Sequence, residues 1–213
     1  MEVQPGNLWL VGGHQPGDNY VQTDATALLS MPEGMREGPV MPYPAYGVCA
    51  LSINDTHSFI AGGVNEVDGH DYISTSFIYD WARATWTTLA SMNAARELCA
   101  GCGVVVNPYT GSREIVVFSG YGAPAISTEI YDIDEDSWRG GPDYPENAQM
   151  VAAVQDSLGS FYALGGYLAG TDDTRLDSIY RFDEDTYEFV LLEQRLPYAA
   201  GDIMGLMVSR DMV

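Results

Sequence analysis

Short apolar runs recur along this chain, each closed by glycine or a polar turn residue, and no long stretch sustains a helical period. Four of them run into a glycine doublet or its remnant: LWLVGG at 8–13, FIAGG at 59–63, VVFSG at 116–120 and FYALGG at 161–166. Downstream of each stands a pair of residues seven apart: Leu28 and Met35, Tyr79 and Trp86, Tyr131 and Trp138, Tyr180 and Tyr187. Between a pair and the next doublet lies another apolar run, GVCALSI at 47–53, GCGVVV at 101–106 and MVAAV at 150–154, with IMGLMV at 203–208 after the last pair. The doublets repeat about every fifty residues, so the pattern predicts four short strands per repeat in an antiparallel meander. We label these strands a to d: b ends in the glycines, c carries the first residue of the pair and d the second. The repeat units are approximately 1–45, 46–97, 98–148 and 149–200, with a final strand in 201–213. The one helical candidate, MNAARELCAG at 92–101, is short and straddles a repeat boundary.

The glycine doublet followed by the spaced Tyr and Trp resembles the kelch repeat, and four strands at this period resemble a β-propeller blade. The resemblance covers essentially the whole chain. It implies an all-β fold, a β-propeller of about four kelch-type four-stranded blades. By phase, the chain begins at strand b and ends after strand a of a fifth unit. A closed ring would therefore place the strand at 203–208 beside the strand at 8–12. Kelch rings usually have more blades, so a partial arc of a larger propeller is favoured over closure. The motif residues are expected to be structural: Gly12, Gly13, Gly62, Gly63, Gly120, Gly165 and Gly166 permit positive φ and make room for rings. The rings of Tyr79, Trp86, Tyr131, Trp138, Tyr180 and Tyr187 fill the gap to a neighbouring blade, contributing roughly 1.5–3 kcal/mol each.

Composition narrows the partners. The chain has 213 residues and is 46% hydrophobic and 18% charged, which excludes wholesale disorder. Thirty acids face nine bases, all arginine, for a net charge of −21. Nucleic acid and anionic bilayers would be repelled, and no apolar run approaches the ~20 residues that span a membrane, so neither nucleic-acid binding nor membrane insertion is expected. No secretory leader is legible in the first residues; the compartment stays open, with the cytoplasm favoured on that ground.

Candidate chemistry is sparse. In such a meander the b–c and d–a loops share one face and the a–b and c–d turns the other. His14 and His70 fall in b–c loops and His57 in an a–b turn, which argues against a three-histidine metal site. Cys99 and Cys102 stand three apart on a predicted strand, ~10 Å apart and on opposite faces, so they are not expected to bridge. Cys49 and Cys102, aligned with each other and with Ala152, read as buried structural thiols. The acidic run DIDED at 132–136 lacks the glycine and glutamate of a calcium loop and reads as a c–d hairpin turn, repeated in FDEDTY at 182–187. No catalytic residue, metal or cofactor is expected.

The glycine-to-tyrosine interval changes from copy to copy while the strands keep their lengths, as on a rigid scaffold that displays variable loops. The resemblance implies a non-catalytic protein–protein interaction module that binds through its b–c and d–a loops. An enzyme acting on a small ligand or carbohydrate, similar to kelch-bladed sialate mutarotases or to galactose oxidase, is the alternative. Aligned on strand a, Tyr43, Arg96, Glu146 and Tyr198 fall in equivalent positions at the loop face and, with His14 and His70, are the expected partner contacts. The partner would be a protein with a basic surface.

Overall fold

The computed structural model describes residues 2–4, 7–13, 22–30, 33–65, 71–97, 101–156, 158–171 and 173–201. It divides into two compact units, Met1–Leu98 and Cys99–Val213, each built from two four-stranded antiparallel meanders. Among the described residues there is no helix, and hence none long and apolar enough to cross a membrane.

In the first unit, one sheet consists of β1 (Glu2–Gln4), β2 (Asn7–Val11), β3 (Thr26–Ser30) and β4 (Gly34–Glu37) in that order. The second contains β5 (Cys49–Asn54), β6 (His57–Ala61), β9 (Ser76–Asp80) and β10 (Thr85–Thr88), with a small ribbon of β7 (Val64–Asn65) and β8 (Asp71–Tyr72) in its b–c segment. The first sheet carries its own a strand. β1 takes the edge of β2 that ring closure would have offered to the strand at 203–208, which itself lies outside the described residues.

The two sheets of this unit meet around Trp9 of β2, which is 1% exposed and clusters with Leu28, Met41 and Ile60. Trp81 stands edge-on to its ring at 5.3 Å and Trp86 tilts over it at 5.9 Å. The Trp86 indole N–H donates to the Val40 carbonyl at 2.7 Å, which ties this ring to the segment that follows the first sheet. Tyr79 and Trp86 are direct cross-strand partners, which explains why they recur at a fixed spacing across a hairpin.

In the second unit, β11 (Gly101–Val106), β12 (Arg113–Phe118), β13 (Thr128–Asp132) and β14 (Ser137–Gly140) form the third sheet. After β15 (Ala148–Gln149), the fourth comprises β16 (Ala152–Gln155), β17 (Phe161–Leu164), β19 (Ile179–Asp183) and β20 (Glu188–Leu191), and β18 (Tyr167–Leu168) pairs with β15. Phe118, Tyr144, Phe161, Tyr180, Phe182 and Phe189 make their shared core, with Phe118 and Phe189 at 5.1 Å. A buried carboxylate ties the same two sheets: Glu114, 1% exposed, accepts from Asn107 (2.9 Å), Arg139 (2.8 Å) and the Tyr187 hydroxyl (2.6 Å). The Arg139 guanidinium also lies over the Tyr187 ring.

The turns show why acids crowd the hairpins. Asp80 accepts from the backbone N–H of Ala82 and Arg83, Asp132 from Asp134 and Glu135, and Asp183 from Asp185 and Thr186. Each turn ends in a positive-φ residue: Ala84, Asp136 and Tyr187. The side chain substitutes for a backbone partner that a tight turn leaves without one.

That equivalence corrects two copies of the motif. Tyr187 closes a turn, in the place of Ala84 and Asp136, and the cross-strand partners matching Tyr79–Trp86 and Tyr131–Trp138 are Phe182 and Phe189. Tyr180 pairs with Leu191 instead. In the first sheet Met35 pairs with Leu29, not Leu28, because the hairpin that closes on Gly34 is one residue shorter. The cysteine expectation also changes: Cys49 and Cys102 are each disulfide-bonded rather than free thiols, and Gly101, not Cys102, pairs with the residue before the glycines as Cys49 and Ala152 do. Cys99 lies outside the described residues.

Candidate interaction face

The meander brings b–c and d–a segments together in every sheet, and the same hydrogen bonds recur. The residue entering the d–a segment donates to the start of strand c: Met41 to Asp24, Met92 to Ser74, Tyr144 to Ile126 and Leu196 to Asp177. Farther along, the second glycine of the doublet donates to a d–a carbonyl, Gly13 to Ala45 (3.0 Å), Gly63 to Arg96 (2.9 Å) and Gly166 to Ala200 (2.8 Å). In the third sheet, where Ser119 replaces the first glycine, its hydroxyl reaches the equivalent Ala148 carbonyl at 2.6 Å.

The doublet therefore makes room for backbone rather than for rings. A Cβ on Gly12 would stand 2.4 Å from the Ala45 oxygen and one on Gly165 2.4 Å from the Ala200 oxygen. The second glycine abuts the preceding sheet of its own unit. A Cβ on Gly63 would meet the Tyr46 carbonyl at 2.8 Å, and one on Gly166 the Gln149 carbonyl at 2.8 Å. Tyr46 bridges to Val64 and Gln149 pairs with Tyr167, so each unit sews one blade's d–a segment to the next blade's b–c segment.

The expected contact residues fall into different situations. Tyr198 is 74% exposed. Tyr43 is half-buried, donates its hydroxyl to the Gly62 carbonyl at 2.9 Å and packs on Phe77. Glu146 is half-buried and accepts from the Ser178 hydroxyl at 2.5 Å. Arg96 is displaced from this set. Its carbonyl receives the glycine bond that Ala45 and Ala200 receive, so Ala94 is the true equivalent of Tyr43, Glu146 and Tyr198. The Arg96 side chain is fully buried and offers a partner no surface. His14 and His70 lie outside the described residues.

Tyr144 escaped the sequence reading, and Tyr180 was expected there only as a repeat-motif ring. Tyr144 is buried and Tyr180 nearly so, their rings 5.3 Å apart beside Glu146. Burial first, then the Glu146 charge, raises the pKa of both phenols, and Arg195 partly opposes this at Tyr180. The apolar counterparts of Tyr144 at its hydrogen-bonding position, Met41, Met92 and Leu196, were the available signal: one copy out of four puts a hydroxyl there.

Comparison of the sequence with known proteins finds relatives over most of this chain. Kelch-like protein 40 of Mus musculus is 27% identical over 205 residues, which is 91% of this chain and 31% of that protein. Kelch-like protein terF of Aspergillus terreus is 31% identical over 180 residues, 80% of this chain and 38% of that protein. The chain belongs to the kelch-repeat family. Its four sheets are kelch blades, and the chain spans between 31% and 38% of the length of these two relatives. An F-box/kelch-repeat protein of Arabidopsis thaliana, OR23, is also similar, at 26% identity over 204 residues, 80% of this chain and 45% of that protein. No family model matches the kelch chain.

Proposed function

We propose that this kelch chain is a non-catalytic scaffold that binds another protein through its b–c and d–a segments, and that the bound surface is basic. The observation that carries the reading is the contrast between a backbone framework that recurs from blade to blade and displayed side chains that change between copies, as at Tyr43, Ala94, Glu146 and Tyr198. Tyr198 and Tyr72 are exposed aromatics on these segments, the type that anchors interfaces. A net charge of −21 favours a cationic partner surface.

The test is affinity capture followed by titration of the recovered partner. Tyr72→Ala combined with Tyr198→Ala is expected to weaken binding at least about tenfold. Tyr109→Ala, at an a–b turn on the opposite end of the strands, is expected to leave it unchanged. Unaltered affinity in the folded double variant, with loss in Tyr109→Ala, would move the interface to the other face.

A further inference from the structure

We propose that Asn54 is an attachment site for an N-linked glycan, and that the chain folds in the oxidising compartment where such glycans are added. Neither part depends on where a partner binds.

The a–b turn of the second blade reads Asn54-Asp55-Thr56, and no other asparagine of the chain has serine or threonine two residues on. All three residues are exposed, where β5 hands over to β6. The Asn54 Oδ1 accepts from the Thr56 N–H, the Thr56 hydroxyl and the His57 N–H, each at 2.9 Å. The two backbone donors fix which end of the carboxamide faces the turn. Its nitrogen faces away, and among the described residues it donates to none.

The corresponding turns show that the fold asks only for that oxygen. Asn107 accepts from the backbone N–H of Tyr109 (2.9 Å) and Thr110 (3.2 Å), and its own nitrogen is engaged by Glu114 at 2.9 Å. Asp156 makes the same kind of turn, accepting from the N–H of Leu158 and Ser160 at 2.9 Å with no amide at all. Two positions on, these turns carry Tyr109 and Leu158 where the second blade has Thr56. An aspartate would therefore have served at position 54, and only this copy combines an unengaged amide with a hydroxyl set against the same carboxamide.

Glycosylation forms a bond from that nitrogen to the anomeric carbon of a lipid-linked sugar pyrophosphate. The bond from that carbon to the pyrophosphate oxygen breaks, the leaving group takes the electron pair and the nitrogen releases one proton. Exposure leaves the nitrogen within reach of a transferase and gives the bulky product room. Within its own blade the glycan would stand at the end of the strands opposite the b–c and d–a segments, which stay open to a partner. A second observation points to the same environment: Cys49 and Cys102 are each disulfide-bonded, a state that persists in secretory compartments and is rare where thiols are kept reduced. This replaces the cytoplasm as the favoured compartment.

The full chain, directed through the secretory route of cultured animal cells, is expected to run as a slower band that collapses on treatment with peptide N-glycosidase. Asn54→Asp keeps the turn oxygen, as Asp156 does, and should fold while abolishing the shift. Thr56→Val should abolish it too, whereas Thr56→Ser should retain it. A folded, secreted wild-type chain with no glycosidase-sensitive band, or a shift that survives Asn54→Asp, would overturn the site. If Thr56→Val fails to fold, Asn54→Asp decides alone. In chain isolated from its own cells, peptide mass spectrometry should find Asn54 glycosylated and Cys49 and Cys102 protected from alkylation until reduced. A bare Asn54, or cysteines alkylated without reduction, in that material would sink the proposal.

Discussion

Phe189 and Tyr187 sit two positions apart, yet one is core and the other closes a turn, and that difference sets what substitution should do. Phe189→Ala removes a ring packed against Phe118, Phe161, Phe182 and Tyr144 and is expected to cost about 3–5 kcal/mol in urea unfolding. Tyr187→Phe removes one of three donors to buried Glu114 and should cost about 1–2 kcal/mol, with the fold retained. Asp80 gives a pH signature. Hydrogen bonds from the Arg83 side chain and backbone hold its carboxyl below the usual range. The folded carboxylate then resists protonation more than the unfolded one, whose pKa is about 3.9, so its stabilisation is present above that pH and disappears as pH falls through the lower folded value. Melting curves of wild type and Asp80→Asn should differ near neutrality and converge below about pH 4. A gap that persists into acid would mean the charge is irrelevant.

At the scale of the element, the b–c junction is the stiffest demand on the sequence. Gly166 adopts φ +107° and a Cβ there would lie 2.8 Å from both the Gln149 carbonyl and a Val151 methyl, whereas Gly159, at φ +91° in an a–b turn, has nothing within 4 Å. Gly159→Ala is expected to cost about 1–2 kcal/mol from backbone strain alone. Gly166→Ala adds a clash with backbone and should cost distinctly more, about 3 kcal/mol or above. Equal losses in urea titrations would show that the close approach relaxes easily. The strands themselves were legible because apolar runs, doublets and turn residues repeat at one period. Register was less so. A spacing of seven is shared by Tyr180–Tyr187 and by Phe182–Phe189, and only the hairpin hydrogen bonds choose between them.

For the whole molecule, charge is the property that reaches beyond any single contact. With −21 and no lysine, association with a basic partner should be steered at long range. The on-rate should then fall at least about tenfold between low salt and about 0.5 M salt while the off-rate changes little, as stopped-flow mixing would show. A salt-independent on-rate would exclude a basic partner surface. The sequence by itself determined the all-β class, the four-fold repeat, the kelch resemblance and the acidic field, because periodicity, glycine placement and charge are additive along the chain. Tertiary structure alone decided which residues are equivalent. Pairing of Gly101 rather than Cys102 in the place of Cys49, together with one extra residue between Arg96 and Gly101 relative to Ala45 and Cys49, moved Arg96 from the expected contact set into a fully buried alanine slot. The fold also sets Ser178, between strands b and c, against Glu146 of the d–a segment. Such convergence depends on hydrogen-bond register between segments distant in the chain, and spacing along a single strand carries no record of it.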